Sequence, residues 1–566
     1  MPRLLPVLAF LLLALPVRAQ NASPIDPGVR PVTRTFAITN ARVIPEPGRV
    51  LDRATVVVRD GLIEAVGPNV TPPFDAEIIE GDSLTVYAGF IDGLGHAAIP
   101  EVKDDGDDEK VRDPGDPPRD RAGIQPDRSA RALLDPTDGS VEALRKLGFT
   151  VAHAVPRDGM LAGQGVVILL AGDDADALVL RDASSLFAQF DSASGVYPAT
   201  PMGILAVLRQ LVRDAERRQE GARLYAENPA GLGRPDYDPA LAALAPTMSG
   251  DRPVFFSVDD VLEAHRALGI AAELGLPLVL GGLRESSHLT DKLAAADVPV
   301  FAALALPEAE KDSTATDSVA VAPAQVFITE RRTRSYADVD DEVNALKAKR
   351  REAIALYERN AATLHAAGIP FGFATLDAKP GDIRENLRRI VAAGLSEDDA
   401  LAALTTTPAA LLGLDRSLGT VEPGKMANLV VTQGSYFAED APVRFVFVDG
   451  QRFEIDEDAA FDPTAEVVAA GTWDYRVVFD GGVQTGTMTL TDDGGTLGGT
   501  LTVEDGSALT MEGVTLTGNR LVFRLPETPF GPLDVSGLIA GDTYTAEVTG
   551  PGAPDLTLSA TRRPEN

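Results

Sequence analysis

Few side chains of this 566-residue chain could do chemistry, and two of them stand on or just after apolar, strand-like runs. Residues 84–100 read LTVYAGFIDGLGHAAIP, where β-branched residues give way to a glycine-rich segment that holds His96. A second run, FTVAHAVP, holds His153. A strand that runs into a loop with a histidine at its end is typical of the active face of barrel enzymes. Because the chain has no cysteine, a zinc site would need histidines and carboxylates.

The other three histidines fall away from such strand ends. His265 and His365 lie within helical patterns, and His288 stands where a helix is predicted to begin. A mononuclear zinc site takes three or four protein ligands. Two interpretations of His96 and His153 therefore stay open: ligands of a reduced metal site, or structural histidines that bond to loop groups.

The run around His96 resembles the first barrel strand of the amidohydrolase superfamily, which is written PGFIDxHxH there. Residues 89–92 (GFID) and His96 match this pattern, but Leu94 stands at the first histidine position. Two histidines two residues apart project from one face of a strand and reach one metal ion. The resemblance therefore implies His96, together with His153, as candidate metal ligands and leaves one ligand missing.

Other segments carry the same resemblance across residues 35–455. The most specific are GFTVAHAVPRDGMLAGQGVVILLAG, which is similar to the imidazolonepropionase-like branch, the helix SEDDALAALTTTPAALLG and the ending LGTVEPGKMANLVV. The capping serine of that helix is Ser396. Together they identify the chain as similar to this branch, with degenerate metal-binding motifs.

Active relatives carry histidines at two further strand ends, which correspond here to Ser257 and to the region around Gly281. Their catalytic aspartate follows a late strand, where this chain reads ATLD and places Leu376 in the aspartate's position. Asp377 is one residue late, and such a slip turns a strand side chain to the opposite face unless the loop re-aims it. The resemblance implies Asp377 as the candidate catalytic base; a solvated loop acid is the alternative.

The elements that must position these residues alternate between strand and helix patterns over residues 91–418, which predicts a (β/α)8 TIM-like barrel. Residues 34–90 and 419–456 resemble the two halves of the small β-sandwich into which amidohydrolases insert this barrel. Residues 466–566 carry short alternating strands about every ten residues, which predicts a C-terminal all-β domain of roughly eight strands, a barrel or a sandwich. Its Trp473 is expected to anchor the core.

Residues 1–19 read as a cleaved signal peptide, since one basic residue precedes an apolar run that is shorter than the ~20 residues of a membrane span. We therefore expect a secreted or periplasmic protein without a membrane span. Asp and Glu number 84 against 51 Lys and Arg, a net charge of −33. This balance argues against nucleic acid as a partner and favours an acidic, halophilic surface.

Two functions stay open. The first is a hydrolase of non-peptide C–N bonds in cyclic amides, imides or dipeptide-like substrates, with a divalent metal such as zinc if the residual site works. The second is a catalytically inactive barrel that binds a small-molecule ligand or serves as a partner subunit of an active amidohydrolase paralogue. Because ligands are missing at several positions at once, we expect no cofactor.

Overall fold

The computed structural model describes residues 35–563 except 102–110, 173, 192–194, 309–333, 440, 456–466, 480–481, 494–495, 504–506, 527, 529–530 and 551–555. The predicted signal peptide lies outside the described residues. None of the helices among the described residues is both long and apolar enough to cross a membrane.

The strands fall into three sheets. Five strands precede the barrel: β1 (Thr35–Glu46), β2 (Arg49–Arg59), β3 (Leu62–Gly67), β4 (Glu77–Glu80) and β5 (Leu84–Ala88). The barrel strands are β6 (Phe90–Gly95), β7 (Phe149–Ala154), β8 (Gly163–Leu169), β9 (Val179–Gln189), β10 (Val254–Ser257), β11 (Leu278–Leu283), β12 (Val300–Ala303) and β13 (Phe371–Ala374). Three strands follow it: β14 (Leu429–Gln433), β15 (Val443–Val448) and β16 (Gln451–Glu454). The C-terminal strands are β17 (Gly471–Phe479), β18 (Gly482–Asp493), β19 (Thr496–Val503), β20 (Ala508–Thr510), β21 (Glu512–Thr517), β22 (Arg520–Leu525), β23 (Leu533–Ala540), β24 (Thr543–Thr549) and β25 (Leu556–Arg562).

The helices belong to the barrel segment. A short 3-10 helix spans Ala130–Leu133. The α-helices are α1 (Gly139–Lys146), α2 (Pro201–Glu227), α3 (Pro239–Ala243), α4 (Ala245–Met248), α5 (Val261–Leu274), α6 (Thr290–Ala296), α7 (Arg334–Ala366), α8 (Pro380–Ala392), α9 (Glu397–Leu404) and α10 (Thr406–Leu411).

The first sheet combines strands from before and after the barrel. Its path is β16-β15-β14-β5-β1-β2-β3, with β4 paired to β1. The pairing of β5 with β14 is antiparallel and sets Val86 opposite Val431. Both valines are fully buried in the core of this sheet together with Ile38 and Phe447. The two ends of the barrel segment are therefore held in one sheet.

The second sheet runs from β6 to β13 in chain order and nearly closes into a barrel. Its two edge strands meet where Leu376 N–H donates to Leu94 O at 3.2 Å. The neighbours β9 to β13 are all parallel, as are β6 and β7. The predicted fold class is confirmed, and the carboxyl ends of most strands lie at one face.

One barrel strand departs from the expected parallel pattern. β8 pairs antiparallel with both β7 and β9. The connecting segments, residues 155–162 and 170–178, are shorter than the dozen or more residues that a crossover between parallel strands needs. The chain therefore reverses direction after β7 and again after β8, and among the described residues no helix follows either strand.

Local sequence explains the helix that borders the candidate site. Asp260 caps α5 by accepting a hydrogen bond from Glu263 N at 2.8 Å, and Gly275 ends it in the left-handed region at φ 65°. This cap places Glu263 in the first turn. Ser396 likewise caps α9 by accepting from Asp399 N at 3.1 Å, as the sequence predicted.

The C-terminal strands form a closed antiparallel barrel. The sheet path begins at β20 and ends at β21, and only Met511 separates these two strands in the sequence. The Met511 N–H donates to Gly499 O at 3.0 Å. The segment 508–517 therefore pairs with β19 through its first part and with β22 through its second. Trp473 is fully buried inside, which confirms its expected role as a core anchor.

Candidate functional site

A cavity of about 260 Å³ opens at the carboxyl ends of the barrel strands. This is the face at which barrel enzymes carry their active sites. Its lining residues end or follow β6, β9, β10 and β13 or lie at the start of α5: His96, Gln189, Phe190, Asp191, Ser257, Asp259, Glu263, Leu376 and Asp377. The structure thus brings His96 and Asp377 together at one cavity, and His153 is not among the lining residues.

His96 stands directly after β6 and is largely buried. Its Nδ1 lies 2.9 Å from Val155 O, so Nδ1 carries the proton and donates to that carbonyl. Burial, which penalises the charged form, lowers the pKa of His96 to about 4. The imidazole is therefore neutral at pH 7, and Nε2 remains as a hydrogen-bond acceptor for the cavity.

His153 is fully buried and has both ring nitrogens engaged. Nδ1 lies 3.0 Å from Gly93 O, and Nε2 lies 2.9 Å from the Ser185 hydroxyl. A β-carbon on Gly165, in the GQG segment, would lie 2.5 Å from this Nε2, so a glycine is needed to make room for the ring. Burial lowers the pKa of His153 to about 4. These contacts give His153 a structural role and leave it no free nitrogen for a metal.

Leu94 occupies the position of the missing histidine and packs against a second such position. Leu94 is fully buried, and a β-carbon on Gly281 would lie 2.2 Å from Leu94 Cδ2. The leucine therefore fills space that a side chain at position 281 would need. At both positions, where the resemblance implies histidines, the barrel now has apolar packing instead of nitrogen donors.

Four carboxylates line the cavity and share little counter-charge. Arg284 Nη2 lies 3.7 Å from Asp259 Oδ1 and 3.9 Å from Asp377 Oδ2, both beyond hydrogen-bond distance. Glu263 Oε2 accepts from Asp259 N at 3.0 Å, and burial raises the pKa of Glu263. Asp191 Oδ2 accepts from Gly159 N at 3.1 Å.

These residues do not fit the divalent metal that the resemblance implies. Among the described residues, no three His, Cys, Asp or Glu side chains are arranged to hold one ion. Ser257 and Leu376 stand where the resemblance implies a histidine and the catalytic aspartate. Asp377 is exposed and has a backbone φ of 60°, so the end of β13 is bent into a left-handed turn that carries this side chain to the cavity.

Asp92 has a different task from the cavity acids. It is fully buried and accepts hydrogen bonds from Thr375 N at 2.9 Å, Thr375 Oγ1 at 2.7 Å and Leu94 N at 3.3 Å. Burial raises the pKa of Asp92 to about 6, and these hydrogen bonds oppose that rise. Because Asp92 is on β6 and Thr375 follows β13, the carboxylate holds together the two strands at which the barrel closes.

Sequence reasoning missed the acids Asp191, Asp259 and Glu263. The first two follow the strand runs LFAQF and VFFSV, and Glu263 lies in the first turn of the next helix. A polar residue just after a barrel strand was the same signal that singled out His96 and Asp377.

Comparison with known proteins agrees with this architecture. Residues 317–453 match the family model of the amidohydrolase family. A crystal structure of an amidohydrolase from Thermotoga maritima MSB8 is 22% identical, has a TM-score of 0.57, and covers 74% of this chain and 100% of that chain. No curated protein matches the sequence.

Two further solved structures are similar at a lower level. A prolidase complexed with N-methylphosphonate-L-proline is 15% identical with a TM-score of 0.41, covering 74% of this chain and 99% of that chain. A Xaa-Pro dipeptidase with bound methionine is 16% identical with a TM-score of 0.40, covering 74% of this chain and all of the other. Of the three structures, only the one from Thermotoga maritima supports the fold. With the match to the amidohydrolase family, it confirms the resemblance to the amidohydrolase superfamily, while the imidazolonepropionase-like branch stays a prediction.

Proposed function

We propose that this chain is a catalytically inactive amidohydrolase-type barrel that binds a small-molecule ligand in the cavity at the barrel mouth. The observation that carries the proposal is the packing of Leu94 against Gly281. Metal-dependent hydrolysis needs a bound ion that makes a nucleophile of water. A buried leucine supplies no ligand, and it blocks a replacement ligand at position 281.

The cavity itself supports ligand binding. It measures about 260 Å³ and is lined mainly by polar side chains. A small-molecule site needs a concave surface with a few polar groups that fix orientation. The lining meets this need through His96, Asp191 and Glu263, whose side chains are held by hydrogen bonds to backbone groups.

A second candidate is a hydrolase of non-peptide C–N bonds in cyclic amides, imides or dipeptide-like substrates. The match to the amidohydrolase family supports a hydrolase in general terms. The presence of His96 and Asp377 at one cavity favours this candidate. Against it, the lowered pKa of His96, about 4, makes its imidazole a weak base at neutral pH.

Metal content and turnover separate the two candidates. The purified chain is incubated with Zn²⁺, desalted and analysed for bound metal, then assayed with hydantoin, succinimide and a Gly-Pro dipeptide. We expect metal well below one ion per chain and no hydrolysis above that of a His96→Ala variant. One zinc per chain together with turnover that this variant loses would overturn the proposal.

We also propose that the protein is exported, on the strength of the predicted signal peptide at residues 1–19. An active amidohydrolase paralogue is the partner that could supply the chemistry missing here. Co-purification of the exported protein with an HxH-containing paralogue is the measurement for this part of the proposal.

A further inference from the structure

The charge of the cavity is strongly one-sided. Four of its nine lining residues are Asp or Glu, and none is Lys or Arg. Arg284 approaches two of these acids, but only at 3.7 and 3.9 Å, and its Nε is buried without a partner among the described residues. The negative charge that faces the cavity is therefore only partly compensated.

The uncharged polar groups of the lining also present acceptors. His96 uses Nδ1 to donate to Val155 O, so its Nε2 can only accept from a cavity ligand. Gln189 donates its side-chain N–H to Gly159 O at 3.1 Å, which leaves its carbonyl oxygen as an acceptor. These two residues are outside the acidic cluster, and both offer an acceptor to a ligand that donates hydrogen bonds.

One wall of the cavity offers an apolar surface. Phe190 lines it and packs on Phe256 at a centroid distance of 4.8 Å. An aromatic side chain beside carboxylates suits a molecule with a cationic head and a short hydrocarbon part. The lowered pKa of His96 keeps this side chain uncharged above about pH 5, so it does not repel a cation.

We infer that the cavity binds a small organic cation that carries a primary ammonium group. The inference rests on the proposed ligand-binding function and names the chemical class of the ligand. The ammonium has three N–H donors, which it directs to His96 Nε2 and to lining carboxylates that include Glu263, and the hydrocarbon part lies against Phe190.

A series of probes of equal length and different charge tests the inference on the full chain. Binding of pentan-1-amine, pentan-1-ol and pentanoate is measured by calorimetry at neutral pH and low salt. We expect binding of the amine only, weakened by added salt because exposed charges are screened. Glu263→Gln should weaken amine binding about tenfold, since the amide keeps an acceptor oxygen but loses the negative charge that strengthens the bond to the ammonium.

Two further variants sharpen the test. Arg284→Met removes the guanidinium beside Asp259 and Asp377 and should tighten amine binding. Glu285→Gln changes a carboxylate outside the lining and should leave amine binding unchanged. Preferential binding of pentanoate that Arg284→Met abolishes would overturn the inference in favour of an anion site. Equal binding of the alcohol and the amine, or binding of none of the three probes, would overturn it as well. The proposed function fails on a different result, namely bound zinc with turnover.

Discussion

At the residue scale, the proposed loss of metal-dependent hydrolysis rests on the contact of Leu94 with Gly281. Leu94 and Gly281 stand at positions where the resemblance implies histidines. The Leu94 side chain packs into the space that a side chain at position 281 would occupy. Protein cores respond to a change of a single methylene group because they are close-packed. Leu94 therefore excludes a side chain at position 281, and we expect the two positions to depend on each other.

A double-mutant cycle measures this dependence. Leu94→Ala should lower the free energy of unfolding by about 2–5 kcal/mol through the cavity it leaves. Gly281→Ala should lower it by roughly 1–3 kcal/mol, because its β-carbon would overlap Leu94. The double variant should lose clearly less than the sum, as measured by urea unfolding.

The matched control is Gly269→Ala, a glycine in α5 with open space around its β-carbon. It should be stabilising by up to about 1 kcal/mol, since alanine favours a helix. If the changes in unfolding free energy caused by Leu94→Ala and Gly281→Ala are additive, the two residues are not coupled through their packing.

His96 and Asp377 could be predicted as cavity residues because each follows directly on a strand pattern in the sequence. The contact of Leu94 with Gly281 could not, because it arises only when β6 and β11 face each other in the closed barrel. The burial of His153 was equally hidden, since its partners Gly93 and Ser185 lie on other strands.

At the element scale, the junction of β6 and β13 depends on one buried carboxylate. Asp92 receives three hydrogen bonds there, two of them from Thr375. Gly95 leaves room for this arrangement, as a β-carbon there would lie 2.4 Å from Asp92 Oδ2.

The GFID segment could be assigned to a barrel strand from its sequence. The antiparallel course of β8 could not, because its apolar run does not reveal strand direction.

The raised pKa of Asp92, about 6, predicts how the stability of the barrel changes with pH. In the unfolded chain the group releases its proton near pH 3.9. Between about pH 4 and 6 the folded state therefore holds the proton more tightly, and the stabilisation present below pH 4 is lost as the pH rises to 6. A shift of about two pKa units corresponds to roughly 3 kcal/mol.

Asp92→Asn removes this titration. The difference in unfolding free energy between wild type and variant should therefore shift by roughly 3 kcal/mol between pH 4 and 6 and stay constant above pH 7. The buried histidines act in the opposite direction, since their lowered pKa values make stability fall as the pH drops below about 6.5. They titrate in both proteins and cancel in the difference. A difference that does not change with pH would contradict the assigned role of Asp92.

At the scale of the whole molecule, the C-terminal barrel has a core of its own. Its buried residues form a cluster separate from those of the first two sheets. The alternating short strands in the sequence predicted an all-β domain here. The barrel closes because the segment 508–517 pairs with β19 and with β22, and a strand pattern does not reveal such pairing. Among the described residues, the α-helices lie between Gly139 and Leu411, outside this barrel.

The single tryptophan of the chain makes the two parts separately observable. Trp473 is buried in the C-terminal barrel, donates from Nε1 to Ala469 O at 3.1 Å, and has the Arg562 guanidinium 4.3 Å from its ring centre. Tryptophan fluorescence therefore reports this barrel, whereas helical circular dichroism reports the first part. We expect urea transitions with different midpoints for the two signals.

Reciprocal variants complete this prediction. Arg562→Gln removes the cation–π contact and the hydrogen bond from Arg562 Nη1 to Ala470 O. It should lower the free energy of unfolding derived from the fluorescence transition by about 1–2 kcal/mol and leave the helical transition unchanged. Leu94→Ala should do the reverse, because its cavity lies in the first barrel. If either substitution moves both transitions together, the two barrels unfold as one cooperative unit, and the predicted boundary near residue 466 does not separate independent domains.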